Sequence, residues 1–135
     1  MRNFLFCYWR SFIILGIICY LSFASPATFS GIPSFENEDK LVHLLMYAGL
    51  AAALIFDFRQ FSRKRNTNIT NFVLWCLIFP VFIGGAIEII QPTYFAPRTG
   101  SWFDFLFDVF GVLIGWAFMH YFKNLIEKLF VRNRD

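Results

Sequence analysis

Four long stretches without a charged side chain constrain this chain more than any other feature of its sequence. They cover residues 11–35, 41–56, 66–87 and 109–122. A helix that crosses a bilayer needs about 20 mostly apolar residues. A chain of 135 residues that is 58% hydrophobic and 16% charged also has too little polar surface for a water-soluble domain. The sequence therefore predicts a membrane protein.

The same stretches predict an all-α fold, with four transmembrane helices in one bundle and a single domain over residues 1–135. The first and third stretches are long enough as they stand, and the other two become long enough with their flanking residues. The predicted spans are residues 9–27, 40–58, 70–91 and 102–122.

The basic residues predict the orientation of these spans. Lys and Arg in short loops favour the cytoplasmic side. With four spans, one side of the membrane holds only Lys40 and Arg98, and the other side holds the remaining ten of the 12 basic residues. We expect both termini in the cytoplasm and a multi-pass protein of the cytoplasmic, or inner, membrane. The net charge of +3 is then a topology signal, and no nucleic-acid partner is expected.

The N-terminus also has features of a secretory signal. A basic start and an apolar run precede the small residues at 24–27, Ala-Ser-Pro-Ala. Pro26 at the cleavage point and the length of the apolar run favour an uncleaved first span. Cleavage would leave three spans with the same loop orientation.

The acidic residues predict where a functional site would lie. Ionisable groups in spans usually face the bundle interior or a water-filled cavity. Asp57 lies near the inner end of the second span, where we expect it to pair with Arg59 or its neighbours. Six of the nine acids fall at the outer side of the membrane or in the outer ends of spans: Glu36, Glu38, Asp39, Glu88, Asp104 and Asp108.

The second span carries polar residues on one helical face. Asp39, His43 and Tyr47 are four residues apart, so they stack, and Lys40 lies beside them. The pattern fits a proton donor or acceptor with oriented neighbours. It also fits a capped helix start with a satisfied, partly buried histidine, and a single histidine on an apolar face favours this second interpretation.

The third span ends with a carboxylate and an amide on one face. Glu88 and Gln91 are three residues apart, and we expect Pro92 to end the helix. Gly84 and Gly85 remove side chains one turn earlier, so another helix can approach. A carboxylate this deep needs a partner, whether it binds a ligand or locks helices together.

One face of the fourth span carries two acidic residues followed by two glycines. Asp104, Asp108, Gly111 and Gly115 share one face, which predicts that this face points into the bundle. The two glycines form a small-xxx-small packing motif. Two acids one turn apart repel when both are ionised, so one should pair with a cation or hold a proton.

The loop before the fourth span supplies a cation and a helix cap. Arg98 can bind a carboxylate or a phosphate through two parallel hydrogen bonds, so it is the expected partner of the acids nearby. Ser101 precedes Asp104 by three residues, which is the spacing of an N-cap with an acidic partner.

The motifs of common enzymes and metal sites are absent from the sequence. The outer polar residues would suit a divalent ion by type, but they include one histidine, His43, and no HExxH or paired-His spacing. We therefore expect no metal and no other cofactor. There is no nucleophile motif or phosphate-binding loop. The remaining chemistry is acid–base catalysis or anion binding at a membrane surface.

Taken in order, these motifs resemble the VanZ-like family over residues 36–120. Many members of that family have Asn where this chain has Asp108, so the site here carries an additional acidic group. The motifs that carry the resemblance are Asp39-Lys40-x-x-His43-x-x-x-Tyr47, Glu88-x-x-Gln91, Arg98, and Ser101-x-x-Asp104-x-x-x-Asp108-x-x-Gly111-x-x-x-Gly115.

The resemblance implies a small helical protein of the inner membrane. The namesake of the family is associated with low-level resistance to teicoplanin, a lipoglycopeptide antibiotic, so the resemblance implies a resistance role as one expectation.

The leading hypothesis is binding or remodelling of a cell-envelope amphiphile, namely a polyprenyl-phosphate lipid, a glycolipid or a lipoglycopeptide. Arg98 and Lys40 would hold an anionic group, and His43 would manage a proton. The candidate ligand-binding residues are Asp39, Lys40, His43, Tyr47, Glu88, Gln91, Arg98, Asp104 and Asp108.

Two alternatives stay open at this point. The chain could be a membrane hydrolase or transferase that acts on a lipid-linked phosphate, with His43 and Asp104 as acid and base. It could instead be a structural membrane protein in which the polar cluster only locks the helices together and in which function lies in partner proteins.

Overall fold

The computed structural model describes residues 4–24, 31, 38–63, 67–95 and 100–130; apart from the turn residue Gly31 these residues form helices and their ends, with no strand among them. A π-helical turn, Leu74–Ile78, joins α4 to α5, so that Ile69–Tyr94 is one continuous helix. The helices are α1 (Phe4–Cys7), α2 (Trp9–Phe23), α3 (Glu38–Ser62), α4 (Ile69–Val73), α5 (Phe79–Tyr94), α6 (Trp102–Tyr121) and α7 (Lys123–Phe130).

Three helical segments are long and apolar enough to cross a membrane: α3, the α4–α5 helix and α6. They match the second, third and fourth predicted spans, and the chain is therefore a multi-pass membrane protein by length and composition. The α2 helix is apolar but has only 15 residues. At a rise of about 1.5 Å per residue it extends about 22 Å, against about 30 Å for the hydrocarbon core of a bilayer. Residues 25–27 of the first predicted span lie outside the described residues.

Large apolar side chains cover the outside of these helices. Phe82 is 70% exposed and Ile89 is 72% exposed, and Ile13, Ile17 and Phe110 are also exposed. A soluble protein rarely presents an apolar surface of this extent. Such a surface suits contact with lipid tails.

The α3 helix occupies the centre of the structure. It packs along α6 for most of its length, against α2 on another side, and against α5 near its start. Its buried face includes Leu50, Leu54, Ile55 and Phe58. Side chains from the neighbouring helices complete this core: Ile18, Cys76, Ile87, Val112 and Met119.

Polar contacts between helices show which helix ends lie at the same end of the bundle. The end of α2 meets the end of α5, where the Gln91 amide donates a 2.9 Å hydrogen bond to the Ser22 carbonyl. The starts of α3 and α6 meet at the same place, through His43 and Asp108. We call this the site end. The opposite end, where Arg10, Arg59 and other cations lie, is called the basic end.

Glycines on α6 allow α3 to approach closely. A Cβ atom at Gly111 would lie 2.5 Å from the Leu44 carbonyl oxygen, and one at Gly115 would overlap the Ala48 carbonyl oxygen. Both positions are buried. The stripe of α6 therefore faces α3, as the sequence predicts, and the two backbones are in contact.

Asp57 caps the start of α2, which corrects its predicted pairing with Arg59. The Asp57 carboxylate accepts hydrogen bonds from the Ser11 amide (3.2 Å), the Ser11 hydroxyl (2.9 Å) and the Arg10 guanidinium (3.1 Å). The first amides of a helix lack partners within the helix and attract a negative charge. Arg59 lies two residues further along α3, on a different face, and donates to the Met119 carbonyl near the end of α6.

Two prolines lie inside the α4–α5 helix. Pro80 is the second residue of α5 and lies two positions after the π-helical turn, whose wider winding suits a nearby residue that has no amide hydrogen. The prediction that Pro92 ends the helix is wrong by two residues, because α5 continues to Tyr94. Pro92 has no amide hydrogen, so the Glu88 carbonyl four residues earlier loses one helical hydrogen bond. The residues after Pro92 keep theirs, as in the bond from the Phe95 amide to the Gln91 carbonyl.

Candidate functional site

Three titratable side chains meet between α3, α5 and α6 at the site end. His43 Nδ1 lies 2.8 Å from Asp108 Oδ1 and 3.8 Å from Glu88 Oε1. His43 is 8% exposed, Glu88 is 9% exposed and Asp108 is fully buried. We call these three residues the acid–histidine cluster. The interior of the bundle at the site end therefore contains three side chains that can ionise.

The column of polar residues predicted on α3 changes its environment along the helix. Asp39 is exposed, His43 is buried in the cluster, and Tyr47 is 1% exposed one turn further in. The histidine of the predicted face is therefore paired with a carboxylate from another helix, Asp108, which is 65 positions away in the sequence. Lys40 is partly buried near the start of the same helix.

Glu88 connects α5 to the start of α6. Its Oε2 atom accepts a 2.8 Å hydrogen bond from the Ser101 amide. Ser101 is the N-cap of α6, as the sequence predicts, and its hydroxyl accepts from the Phe103 amide. In the predicted capping box Asp104 would accept from the Ser101 amide. Glu88 takes this place from a neighbouring helix, and Asp104 lies partly exposed.

Asp108 fits its position because Gly84 has no side chain. A Cβ atom at Gly84 would lie 2.7 Å from Asp108 Oδ2, so the carboxylate lies against the backbone of α5. The neighbouring Gly85 faces the Phe105 ring, which a Cβ atom would approach to 3.3 Å. Both glycines therefore let α6 approach α5, and Gly84 in particular makes room for the acid.

Several buried polar atoms near the cluster have no hydrogen-bond partner within the described part of the chain. They are Glu88 Oε1, Asp108 Oδ2, the Tyr47 hydroxyl and the Ser22 hydroxyl. A buried acceptor without a donor typically destabilises a fold by about 1–3 kcal/mol. The cluster can therefore accept hydrogen bonds from a bound group, or it can hold a cation.

The structure separates the other predicted site residues from the cluster. Gln91 is buried but binds the Ser22 carbonyl of α2, so it joins helices. Asp39 is exposed at the start of α3, and Asp104 is partly exposed one turn before Asp108. Arg98 lies outside the described residues.

Gly100 contributes to the site although no sequence motif marks it. A Cβ atom at Gly100 would overlap the Glu88 carbonyl oxygen and would lie 3.3 Å from Pro92 Cδ. That carbonyl has no amide partner four residues later because position 92 is proline. Gly100 therefore passes over the end of α5 and brings the Ser101 amide to the Glu88 carboxylate. A proline four residues after Glu88 and a glycine before the N-cap are the signals in the sequence.

The fold and the site together define a multi-pass helical membrane protein with a buried histidine–carboxylate cluster between its spans. Comparisons with family models, with curated proteins and with solved structures gave no match for this chain.

Proposed function

We propose that this protein is a VanZ-like protein of the cell envelope that binds the polar headgroup of an amphiphile at the site end. The observation that carries the proposal is the set of buried acceptor atoms without donors, Glu88 Oε1 and Asp108 Oδ2, beside His43. Hydroxyl and amino groups of a glycolipid, a lipid-linked wall precursor or a lipoglycopeptide would supply those donors. Binding teicoplanin in this way would account for low-level resistance.

The depth of the cluster supports recognition of a headgroup. His43 lies five residues after the start of α3, and Asp108 lies six residues after the start of α6. At about 1.5 Å per residue these positions are about 8–9 Å below the helix ends. A headgroup at the membrane surface can reach this depth while its acyl or prenyl chain follows the apolar, exposed faces of the helices.

We further propose a bundle of four membrane helices with both termini in the cytoplasm. The α2 helix bonds to α3 at the basic end and to α5 at the site end, which is the connection expected of a fourth helix. Arg63 follows the end of α3, and Lys123 and Lys128 lie on α7 after the end of α6, all at the basic end; basic segments of this kind favour the cytoplasm. The site end would then face the outer leaflet of the cytoplasmic membrane.

The His43–Asp108 pair favours one particular form of the enzyme alternative. A histidine that is held by a carboxylate at 2.8 Å is the arrangement of an oriented general base. In a membrane hydrolase His43 would activate water, and Asp108, rather than Asp104, would position the imidazole. We rank this function second because the chain offers no nucleophile beside the pair within the described residues.

Thermal unfolding in detergent tests the binding proposal. Purified protein is heated with polyprenyl phosphate, lipid-linked wall precursor, a glycolipid, bulk phospholipid or teicoplanin. A ligand at about a hundred times its dissociation constant stabilises the folded state by about 2.7 kcal/mol. We expect one of the envelope amphiphiles to raise the melting temperature and bulk phospholipid to have no effect.

Two matched variants test whether a stabilising ligand binds at the acid–histidine cluster. Asp108→Asn keeps the shape of a cluster side chain, whereas Asp39→Asn changes an exposed acid on α3. The binding proposal requires that Asp108→Asn removes the stabilisation and that Asp39→Asn keeps it. If no amphiphile stabilises the protein and Asp108→Asn only lowers its melting temperature, the cluster is a helix lock.

A further inference from the structure

The acid–histidine cluster offers the donor set of a metal site. We propose that His43, Glu88 and Asp108 bind one divalent transition-metal ion, of the kind represented by Zn²⁺ and Mn²⁺. One imidazole nitrogen and two carboxylate oxygens suit these ions. The three ligand atoms all lie within 4.8 Å of one another, and all three residues are buried.

Charge balance favours a divalent cation at this place. Glu88 and Asp108 bring two carboxylates into an apolar bundle, and among the described residues the basic group that contacts both is the His43 imidazole. Burying ionised carboxylates is unfavourable unless their charge is compensated. A divalent ion compensates both charges and leaves the imidazole neutral, which is the form that ligates metals.

Unpartnered atoms point at the same place independently of the spacing of the three residues. Glu88 is more than nine-tenths buried, and its Oε1 atom lies 3.8 Å from His43 Nδ1 with no hydrogen-bond partner among the described residues. Asp108 Oδ2 likewise lacks a partner there. Oε1 therefore has a lone pair available beside the imidazole, in the position a metal ligand needs.

The observed distances are close to those around a bound ion. With Zn–N and Zn–O bonds of about 2.0–2.2 Å, neighbouring ligand atoms lie about 3.0–3.6 Å apart. The two separations from His43 Nδ1, 2.8 Å and 3.8 Å, bracket that range. Three protein ligands also leave coordination positions open for water or for an added group. The sequence predicts no metal because it has one histidine in this region and no paired-ligand spacing, whereas these three ligands come from three different helices.

Binding of the ion displaces a proton. In its metal-free imidazolium form His43 donates the Nδ1 hydrogen to Asp108; the metal replaces that hydrogen on Nδ1, the proton leaves to solvent, and the imidazole keeps its Nε2 hydrogen and becomes neutral. Affinity should therefore fall as the pH is lowered from 7.5 to 6. This proposal does not depend on the amphiphile, since the metal ion alone is the probe.

Calorimetric titration of the full chain, tag-free and stripped with a chelator, tests the site. ZnCl₂ and MnCl₂ are added to wild type, His43→Gln, Glu88→Gln and Asp108→Asn. The matched controls are His120→Gln, which removes the exposed second histidine, and Asp39→Asn. We expect one ion per chain in wild type and in both controls, and at least tenfold weaker binding in the three cluster variants.

A second measurement does not depend on the folding of the cluster variants. In His120→Gln the only remaining histidine is His43. Pulsed electron paramagnetic resonance of Mn²⁺ bound to this variant should detect one directly coordinated imidazole nitrogen. The proposal is overturned if wild type binds neither ion, if His43→Gln binds as tightly as wild type, or if the bound Mn²⁺ shows no nitrogen coupling.

Discussion

Gly111 lies where the backbones of α3 and α6 touch, and it shows how one residue sets the geometry of the site. Its missing side chain lets α6 approach the Leu44 carbonyl. Asp108, one turn before Gly111, consequently reaches His43. Any residue with a side chain at this position has to separate the helices, and the separation would also open the hydrogen bond at the cluster.

We predict that Gly111→Ala destabilises the protein by about 1–3 kcal/mol, the range found for overpacked interiors. The measurement is thermal unfolding in detergent. Gly49→Ala is the matched control, because a Cβ atom at Gly49, on α3, has nothing within 4 Å. The control should keep or raise the melting temperature, since alanine favours helices over glycine. Equal melting temperatures for the two variants would contradict the close approach at Gly111.

At the basic end, the Asp57 side chain joins α3 to the start of α2. We predict that Asp57→Ala leaves the Ser11 amide and hydroxyl without their acceptor and lowers stability by about 1–3 kcal/mol. Asp57→Asn retains an oxygen for Ser11 but loses the charge opposite Arg10, so its melting temperature should fall between wild type and alanine. The Arg10 side chain is 31% exposed, which limits the contribution of the ion pair. An asparagine variant as unstable as the alanine variant would mean that the charge dominates.

At the scale of the helices, α2 has contacts that bear on the predicted signal sequence. Ile18 is fully buried against the other helices, and α2 bonds to α3 and α5 near its two ends. Removing this helix would expose Asp57 and take the acceptor from Gln91.

We therefore predict that α2 stays in the mature protein. Intact-mass analysis of protein purified from membranes should give a chain that contains residues 9–23. The control is Ala24→Leu, which replaces a small residue at the possible cleavage point. It should give the same intact chain, with a mass that differs only by the substitution. A wild-type mass that corresponds to a chain beginning near residue 27 would contradict the prediction.

The features of the helices that can be predicted from the sequence are those that follow helical periodicity within one helix. The stripe of Asp108, Gly111 and Gly115 follows from helical spacing alone, and the structure turns it toward α3. The π-helical turn before Pro80 has no such spacing signal, because the periodicity of an α-helix does not mark where a turn gains a residue. The sequence also does not predict the short helix α7, since an apolar pattern of eight residues is too short to distinguish from a loop.

Contacts between elements explain the rest. The sequence places Glu88, Asp108 and His43 at one side of the membrane, but it does not say which atoms meet. Glu88 accepts from Ser101, and Asp57 accepts from Ser11, because the start of a neighbouring helix offers free amides at those places. Partners of this kind depend on the mutual position of helices, which spacing along the chain does not encode.

At the scale of the whole molecule, the two ends differ in charge as well as in chemistry. The site end presents Glu38 and Asp39 at the start of α3, and the basic end presents Arg63 after α3 together with Lys123 and Lys128 on α7. This asymmetry is what the positive-inside rule acts upon. The asymmetry therefore predicts the orientation of the cluster relative to the membrane.

We predict that the site end faces outward and the basic end faces the cytoplasm. The test uses single-cysteine variants in a background in which Cys7, Cys19 and Cys76 are replaced by alanine. A membrane-impermeant maleimide added to intact spheroplasts should label Asp39→Cys and should label Lys128→Cys only after lysis. Both positions are exposed, so a failure of labelling reflects the membrane rather than burial. The opposite pattern would put the acid–histidine cluster at the cytoplasmic leaflet and would exclude extracytoplasmic amphiphiles as its ligands.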